Sequence, residues 1–275
     1  MKKIIAFFRQ RVPLPPFLIA AFLIVFTIWV MDTPDGLLGK ADAVGYAVCH
    51  RISVRSFFLG DRQLPLCARC TGMHLGAFFT LLYQLHRGKR GNLPDKKFLA
   101  VFAIFLVAFG LDGINSYLNL LNRFPYLYVT QNWMRLLTGT LLGTGIGAVL
   151  YPVFNQSIWY DWIPEAAINS WKQIGAIFGI SALIILSVLS ENPFLSYPLG
   201  IISAFNVLLV LTIIYTILWV MITRHDNQFS NFKELRWYLL AGLTTTLLQI
   251  ALMDYARFLL TGTWDGFAVI MLHFI

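Results

Sequence analysis

The sequence predicts an all-α, polytopic membrane protein of about seven spans, and three observations carry that prediction. Of the 275 residues, 58% are hydrophobic and only 12% charged, with a mean hydropathy of +0.69. Soluble domains carry about 25% charged residues, so the composition belongs to the membrane class. Apolar runs long enough to cross a hydrocarbon layer recur along the chain, and the Lys and Arg residues between them collect on alternate connections.

The elements follow in order. A basic start (Lys2, Lys3, Arg9, Arg11) precedes the proline cluster Pro13, Pro15 and Pro16, after which a first helix is expected. The only small-x-small site nearby, Ala41-Asp42-Ala43, lies well beyond the apolar run Phe17 to Met31. The run therefore reads as a retained helix and not as a cleaved signal. Spans of about 20 residues or slightly fewer are expected near 14–31, 71–86, 98–118, 133–154, 173–190, 198–222 and 237–258. Trp264 to Ile275 is apolar but short, and reads as an interfacial or re-entrant segment. The chain divides into an N-terminal segment with the first helix (1–43), a core with a polar loop and three helices (44–154) and a C-terminal membrane region (155–275).

Orientation follows from the basic residues. Arg87, Lys89, Arg90, Lys96 and Lys97 follow the second span, and Arg224, Lys233 and Arg236 follow the sixth. By the positive-inside rule these connections, with the N-terminus, are expected on the cytoplasmic side of the cell (inner) membrane. The net charge of +8 is accounted for in the same way, so no nucleic-acid partner is implied; the expected partner is the lipid bilayer. One loop resists the rule: Lys40, Arg51, Arg55, Arg62 and Arg69 fall on the outer side.

Polar residues inside spans are functional candidates. With this topology Cys67, Cys70 and His74 occupy the outer end of the second span, on one helical face if the helix includes Cys67. A rise of 1.5 Å per residue puts Asp112 roughly 20 Å up the third span, and Asn115 and Asn119 follow it. The fourth span descends through Arg135 and Thr138. Three helices thus deliver Cys, His, Asp, Asn and Arg to one level, where an Asp112–Arg135 ion pair is geometrically open. Gly139, Gly143 and Gly147 on the fourth span, and Gly72 and Gly76 on the second, recur every four residues and suit close helix packing.

All three cysteines of the chain lie in one polar stretch, Cys49-His50-Arg51 and Leu66-Cys67-Ala68-Arg69-Cys70-Thr71-Gly72. Thiolate and imidazole are ligands for a zinc-like ion, and C-x-x-C is a half-site for one. Cys49, His50, Cys67 and Cys70 supply four ligands. Adjacent side chains tend to diverge, which leaves His50 a supporting role if His74 or water completes the sphere. Arg51, Arg55, Arg62 and Arg69, with Arg135, suit an anionic ligand such as a phosphate or a lipid headgroup. Asp112 and Arg135 are the catalytic candidates, Asp112 as a general base.

These residues also carry a family resemblance. Cys49-His50-Arg51, Arg55-Ser56-Phe57, Arg62-Gln63, Pro65 to Gly72, Asp112-Gly113, Asn132, Arg135 and Thr138-Gly139 resemble a bacterial and archaeal membrane family called domain of unknown function 2085. The likeness spans about residues 44–147 and implies a multi-pass membrane protein with no established activity. The family carries an aromatic residue at the position of His74, which favours His50 as the fourth ligand.

Two other readings stand beside the metal site. Cys67 and Cys70 at a helix start, with Arg69 adding positive charge, suit a thiol–disulfide redox protein in which Cys49 resolves a mixed disulfide. Asp112 and Arg135 inside the membrane are also what a transport pathway would use.

Overall fold

A computed structural model describes residues 15–121 and 126–266. Eight α-helices carry the fold: α1 (Pro15–Asp32), α2 (Gly36–Val48), α3 (Ala68–Leu85), α4 (Lys96–Leu121), α5 (Asn132–Ile158), α6 (Trp171–Leu189), α7 (Pro193–Thr223) and α8 (Phe232–Thr261). Six of them, all but α2 and α3, are long and apolar enough to cross a membrane. The span expected near 71–86 corresponds to α3, which packs along α5. The protein is thus an all-α polytopic membrane protein, and each of the seven spans expected from sequence has its helix. Residues 1–14 and 267–275 lie outside the described residues, and with them the basic N-terminus and most of the apolar Trp264 to Ile275 segment.

The glycines set the tightest packing in the bundle. A Cβ placed on Gly139, Gly143 or Gly147 of α5 would lie 2.1, 2.1 or 2.8 Å from the carbonyl oxygens of Arg69, Met73 and Ala77 on α3. Gly72 and Gly76 answer from the other side, their missing Cβ atoms meeting Leu136 and Thr140 at 2.5 and 2.3 Å. Both series advance by four residues in the same direction, so α3 and α5 are parallel and their backbones touch along small-residue faces. α4 returns between them and runs antiparallel to α5: Phe102 packs on Gly145 near one end, and Ser116 meets Arg135 near the other.

The connections gather at two ends. At the basic end, β3 (Arg90–Asn92) pairs in parallel with β4 (Ile163–Ala166), and Lys89 reaches Asp161 at 2.7 Å. Asn155 donates to the Arg90 carbonyl there, and Trp159 bridges to Phe229 before α8. At the other end lie the cysteine loop, the α4–α5 connection and the C-terminal end of α8.

One element is absent from the sequence-based reading. Residues 36–48 form α2, whose Ala41, Ala43, Val44 and Tyr46 are buried against neighbouring helices. Thirteen residues that include Lys40, Asp42 and three glycines make too short and too polar a run to register as a span.

Candidate metal centre and arginine cluster

Cys49 caps the C-terminus of α2, its N–H donating to the Gly45 carbonyl at 2.9 Å. The chain then turns through Arg51, whose φ of +50° is a left-handed conformation that a non-glycine residue adopts only under surrounding constraint. Gln63 supplies part of it by donating to the Arg51 carbonyl and to Ser56 Oγ, both at 2.8 Å. A 3₁₀ turn (Ser53–Arg55) and a hairpin of β1 (Phe58–Leu59) and β2 (Arg62–Gln63) follow, closed at Gly60. Pro65 and Leu66 lead into Cys67, the N-cap of α3, and Cys70 stands in the first turn.

This path brings the three sulfurs together. The Sγ atoms of Cys49, Cys67 and Cys70 all lie within 4.8 Å of one another, with Cys49 and Cys67 buried and Cys70 partly so. All three are free thiols. Neither histidine joins the group at that distance. His50 turns back on its own loop, its Nδ1 accepting from the Ile52 N–H at 3.2 Å. His74, one turn below Cys70, faces Asn206 of α7, with its Nδ1 3.3 Å from the Asn206 amide nitrogen.

The thiols hold their protons unequally. Cys49 is held well below the ordinary thiol range, first by hydrogen bonds from the Cys67 and Cys70 thiols, and burial opposes the shift. The Cys67 N–H also donates to Cys49 Sγ at 3.3 Å. Cys67 is pushed up to about 12, chiefly because its proton serves the Cys49 sulfur. The anion of the group thus belongs first to the Cys49 sulfur, which the other two thiols face as donors.

Beside the thiols, three guanidinium groups converge on one turn of α4. Arg69 pairs with Asp112 Oδ2. Arg55 donates to the Ser116 carbonyl at 2.5 Å, and Arg135 donates to Ser116 Oγ at 3.2 Å and to Asn132 Oδ1 at 2.8 Å. The expected Asp112–Arg135 pair is therefore replaced by Asp112–Arg69. Ser116 is one helical turn beyond Asp112, about 6 Å along the axis, and it is there that Arg135 arrives. Arg69, in the first turn of α3, crosses over the Phe109 ring (5.4 Å to the centroid) to reach the carboxylate. Tyr128 hydroxyl donates to Asp112 Oδ1 at 3.0 Å, so both carboxylate oxygens are engaged. Asn115 fastens the α4–α5 connection, accepting from the Leu127 N–H and donating to the Tyr128 carbonyl, both at 2.8 Å. His50 is held below its ordinary pKa, first by burial and then by Arg55, Arg69 and Arg135, against the pull of Cys49. Burial foremost, then Arg69, also lowers Arg55.

Two residues of this end, Asp42 and Asn206, escaped the sequence reading, and Arg257 and Asp254 read there only as a paired local clamp on the last span. Asp42 of α2 bridges Arg51 (3.0 Å) and Arg62 (2.5 Å), so with Arg69 on Asp112 three of the four arginines assigned to an anionic ligand already hold a carboxylate. The signal was available, since a loop with five basic residues needs local acids. Arg257 of α8 donates to the carbonyls of Tyr46 and Cys49, both at 2.6 Å, and of His50 at 3.2 Å, with its guanidinium 3.9 Å from the Tyr46 ring centroid. Its neighbour Asp254 accepts from the Trp29 indole at 3.1 Å. Asn206, fully buried in α7, was hidden in an apolar run.

Arg257 ties the C-terminal helix to the cysteine loop and makes a clear prediction. Arg257→Ala leaves loop carbonyls without their donor, and thermal unfolding in detergent should show a loss of about 2–3 kcal/mol. Arg257→Lys, with one nitrogen in place of the fork, should recover only part of it.

The family described as a predicted membrane protein (DUF2085) matches residues 49–149, the stretch that runs from the first cysteine through α3, α4 and most of α5. An uncharacterised protein of Methanothermobacter thermautotrophicus is 31% identical over 111 residues, which is 40% of this chain and 90% of the relative. An uncharacterised protein of Methanocaldococcus jannaschii is 27% identical over 119 residues, 42% of this chain and 70% of the relative. No solved structure matches the chain. With the family's stretch enclosing the thiols, the arginines and Asp112, this chain belongs to the DUF2085 family of predicted membrane proteins.

Proposed function

We propose that the protein holds a zinc-like ion on Cys49, Cys67 and Cys70 at the outer face of the cell membrane. There it serves as the centre of a membrane enzyme or a binding protein for an anionic ligand. The observation that carries this reading is the meeting of all three cysteines of the chain, their sulfurs within 4.8 Å of one another. Zinc–sulfur bonds of about 2.3 Å in a tetrahedral site put sulfurs about 3.8 Å apart, which fits that spacing. The donor set is soft and anionic when charged, the chemistry of a thiophilic divalent ion. The N–H bond from Cys67 to Cys49 Sγ supports a thiolate in the manner of the outer shell of a metal site. A three-thiolate site leaves a fourth position for His50, His74, water or ligand, and an open position is what metal chemistry requires.

The outward assignment rests on charge. Arg87, Lys89, Arg90, Lys96, Lys97, Arg224, Lys233 and Arg236 all belong to the end away from the thiols. The arginines of the cysteine end are largely bonded internally, to Asp42 and Asp112, so they weigh little as interfacial charges.

A second reading has one specific observation in its favour. Cys67 caps α3 and Cys70 lies in its first turn, with Cys49 in reach of both. Attack by Cys67 on a substrate disulfide would give a mixed disulfide and release one substrate thiol; Cys70 or Cys49 would then displace the second substrate thiol, leaving Cys67 joined to the resolving cysteine, with two electrons and two protons passed to the substrate.

Elemental mass spectrometry of the detergent-purified protein beside Cys67→Ser and Cys70→Ser variants separates the two. The metal reading expects near-stoichiometric zinc that is lost in both variants. Metal-free protein whose thiols label only after reduction would hand the site to the redox reading.

A further inference from the structure

The arginine cluster carries more positive charge than its surroundings neutralise. Arg55, Arg69 and Arg135 meet within one turn of α4 beside a single carboxylate, Asp112, which is committed to Arg69 and Tyr128. Arg55 and Arg135 are only 7% and 6% exposed. Among the described residues, their hydrogen bonds go to neutral oxygens alone: the Ser116 carbonyl for Arg55, and Ser116 Oγ and Asn132 Oδ1 for Arg135. A guanidinium offers five N–H donors, and Arg55 places one of them. The Nε of Arg69 is likewise buried with no hydrogen-bond partner among the described residues.

Buried charge is stable only when paired. The local balance of three guanidiniums against one carboxylate leaves two positive charges over. A divalent ion on three thiolates would carry one negative charge, as would a single thiolate in the metal-free loop, so one positive charge is left over in either state. The matching group is an anion with several acceptor oxygens, the partner that the planar N–H forks of more than one arginine select.

We infer that Arg55 and Arg135, with Arg69 held by Asp112, form a binding site for a phosphate-type oxyanion at the cysteine end of the bundle. The site goes beyond the metal reading and does not require it, since the excess charge persists in either state. The oxyanion is presented as free phosphate or as the head of a phospholipid, and one set of measurements distinguishes the sources.

The test measures binding of inorganic phosphate to the full-length protein in detergent by calorimetry. In parallel, thermal stabilisation is measured in nanodiscs of phosphatidylcholine with and without phosphatidic acid. Wild type should bind saturably in at least one format. A response to phosphate assigns free anion, and a response to phosphatidic acid alone assigns the lipid head. Arg55→Gln and Arg135→Gln should each weaken that binding by about tenfold or more, the loss expected for a charge-assisted fork. Arg236→Gln, at an exposed arginine on the opposite end of the bundle, should leave it unchanged. If a glutamine variant does not yield monodisperse protein, Arg55→Lys and Arg135→Lys keep the charge, remove the fork and should still weaken binding. No saturable binding in either format, or equal binding by wild type and the Arg55 and Arg135 variants, overturns the proposal.

Discussion

Gly45→Ala is expected to unfold the cysteine end of the protein and to release the ion proposed for its three thiols. A Cβ on Gly45 would lie 1.8 Å from the Pro65 carbonyl oxygen and 2.7 Å from its carbon, both backbone atoms that no side-chain rotation can move aside. Relief requires α2 and the Pro65 segment to part by more than about 1 Å, at a cost of about 3 kcal/mol or more for overpacking of this kind. The geometry makes the effect specific. Cys49 hydrogen-bonds to the Gly45 carbonyl, and Cys67 is two residues beyond Pro65. Widening that contact therefore draws Cys49 away from the other two sulfurs. Thermal unfolding and metal content, measured on the same preparation, should fall together. Gly179→Ala on α6, where an added Cβ meets nothing within 4 Å, is the matched control. It should leave both unchanged or raise stability by up to about 1 kcal/mol through helix propensity.

The second large effect belongs to Asp112→Asn. The carboxylate is 3% exposed, paired with Arg69 and bonded by Tyr128, and it is the one acid among three guanidiniums. Breaking a buried pair by removing one partner typically costs 3–5 kcal/mol, because the remaining charge stays buried without compensation. A loss of about 3 kcal/mol in detergent unfolding is expected, with the metal retained, since Asp112 belongs to the arginine cluster and not to the thiol group. Added phosphate should return part of that stability by supplying the missing negative charge. Unaltered stability in Asp112→Asn would mean that the three arginines are solvated and the charge argument is void.

The transmembrane helices were legible because each is long, apolar and bounded by prolines, polar residues or basic connections, and length and hydropathy decide such segments. α3 was legible for another reason. It is too polar to pass as a lipid-facing span, and its apolar run and small residues reflect burial against α5. α2 was not legible, because a short helix with Lys40 and Asp42 is held by tertiary contacts with α7 and α8 and by the Gly45–Pro65 approach.

The site shows the same division. The meeting of Cys49 with Cys67 and Cys70 followed from residue type and proximity in sequence. The choice of partners did not, since it turns on single helical turns. Asp112 and Ser116 differ by one turn, and that turn decides whether Arg69 or Arg135 holds the carboxylate. Arg257 read in sequence only as a local partner of Asp254, because what it binds, the carbonyls of residues 46, 49 and 50, is backbone more than 200 positions away.

The most direct test of the central claim is X-ray absorption at the metal edge of the purified full-length protein. The account predicts a zinc-like ion whose inner shell contains three sulfurs at about 2.3 Å and one lighter atom. A protein without bound metal, with Cys67 and Cys70 joined as a disulfide and Cys49 left free, would contradict it.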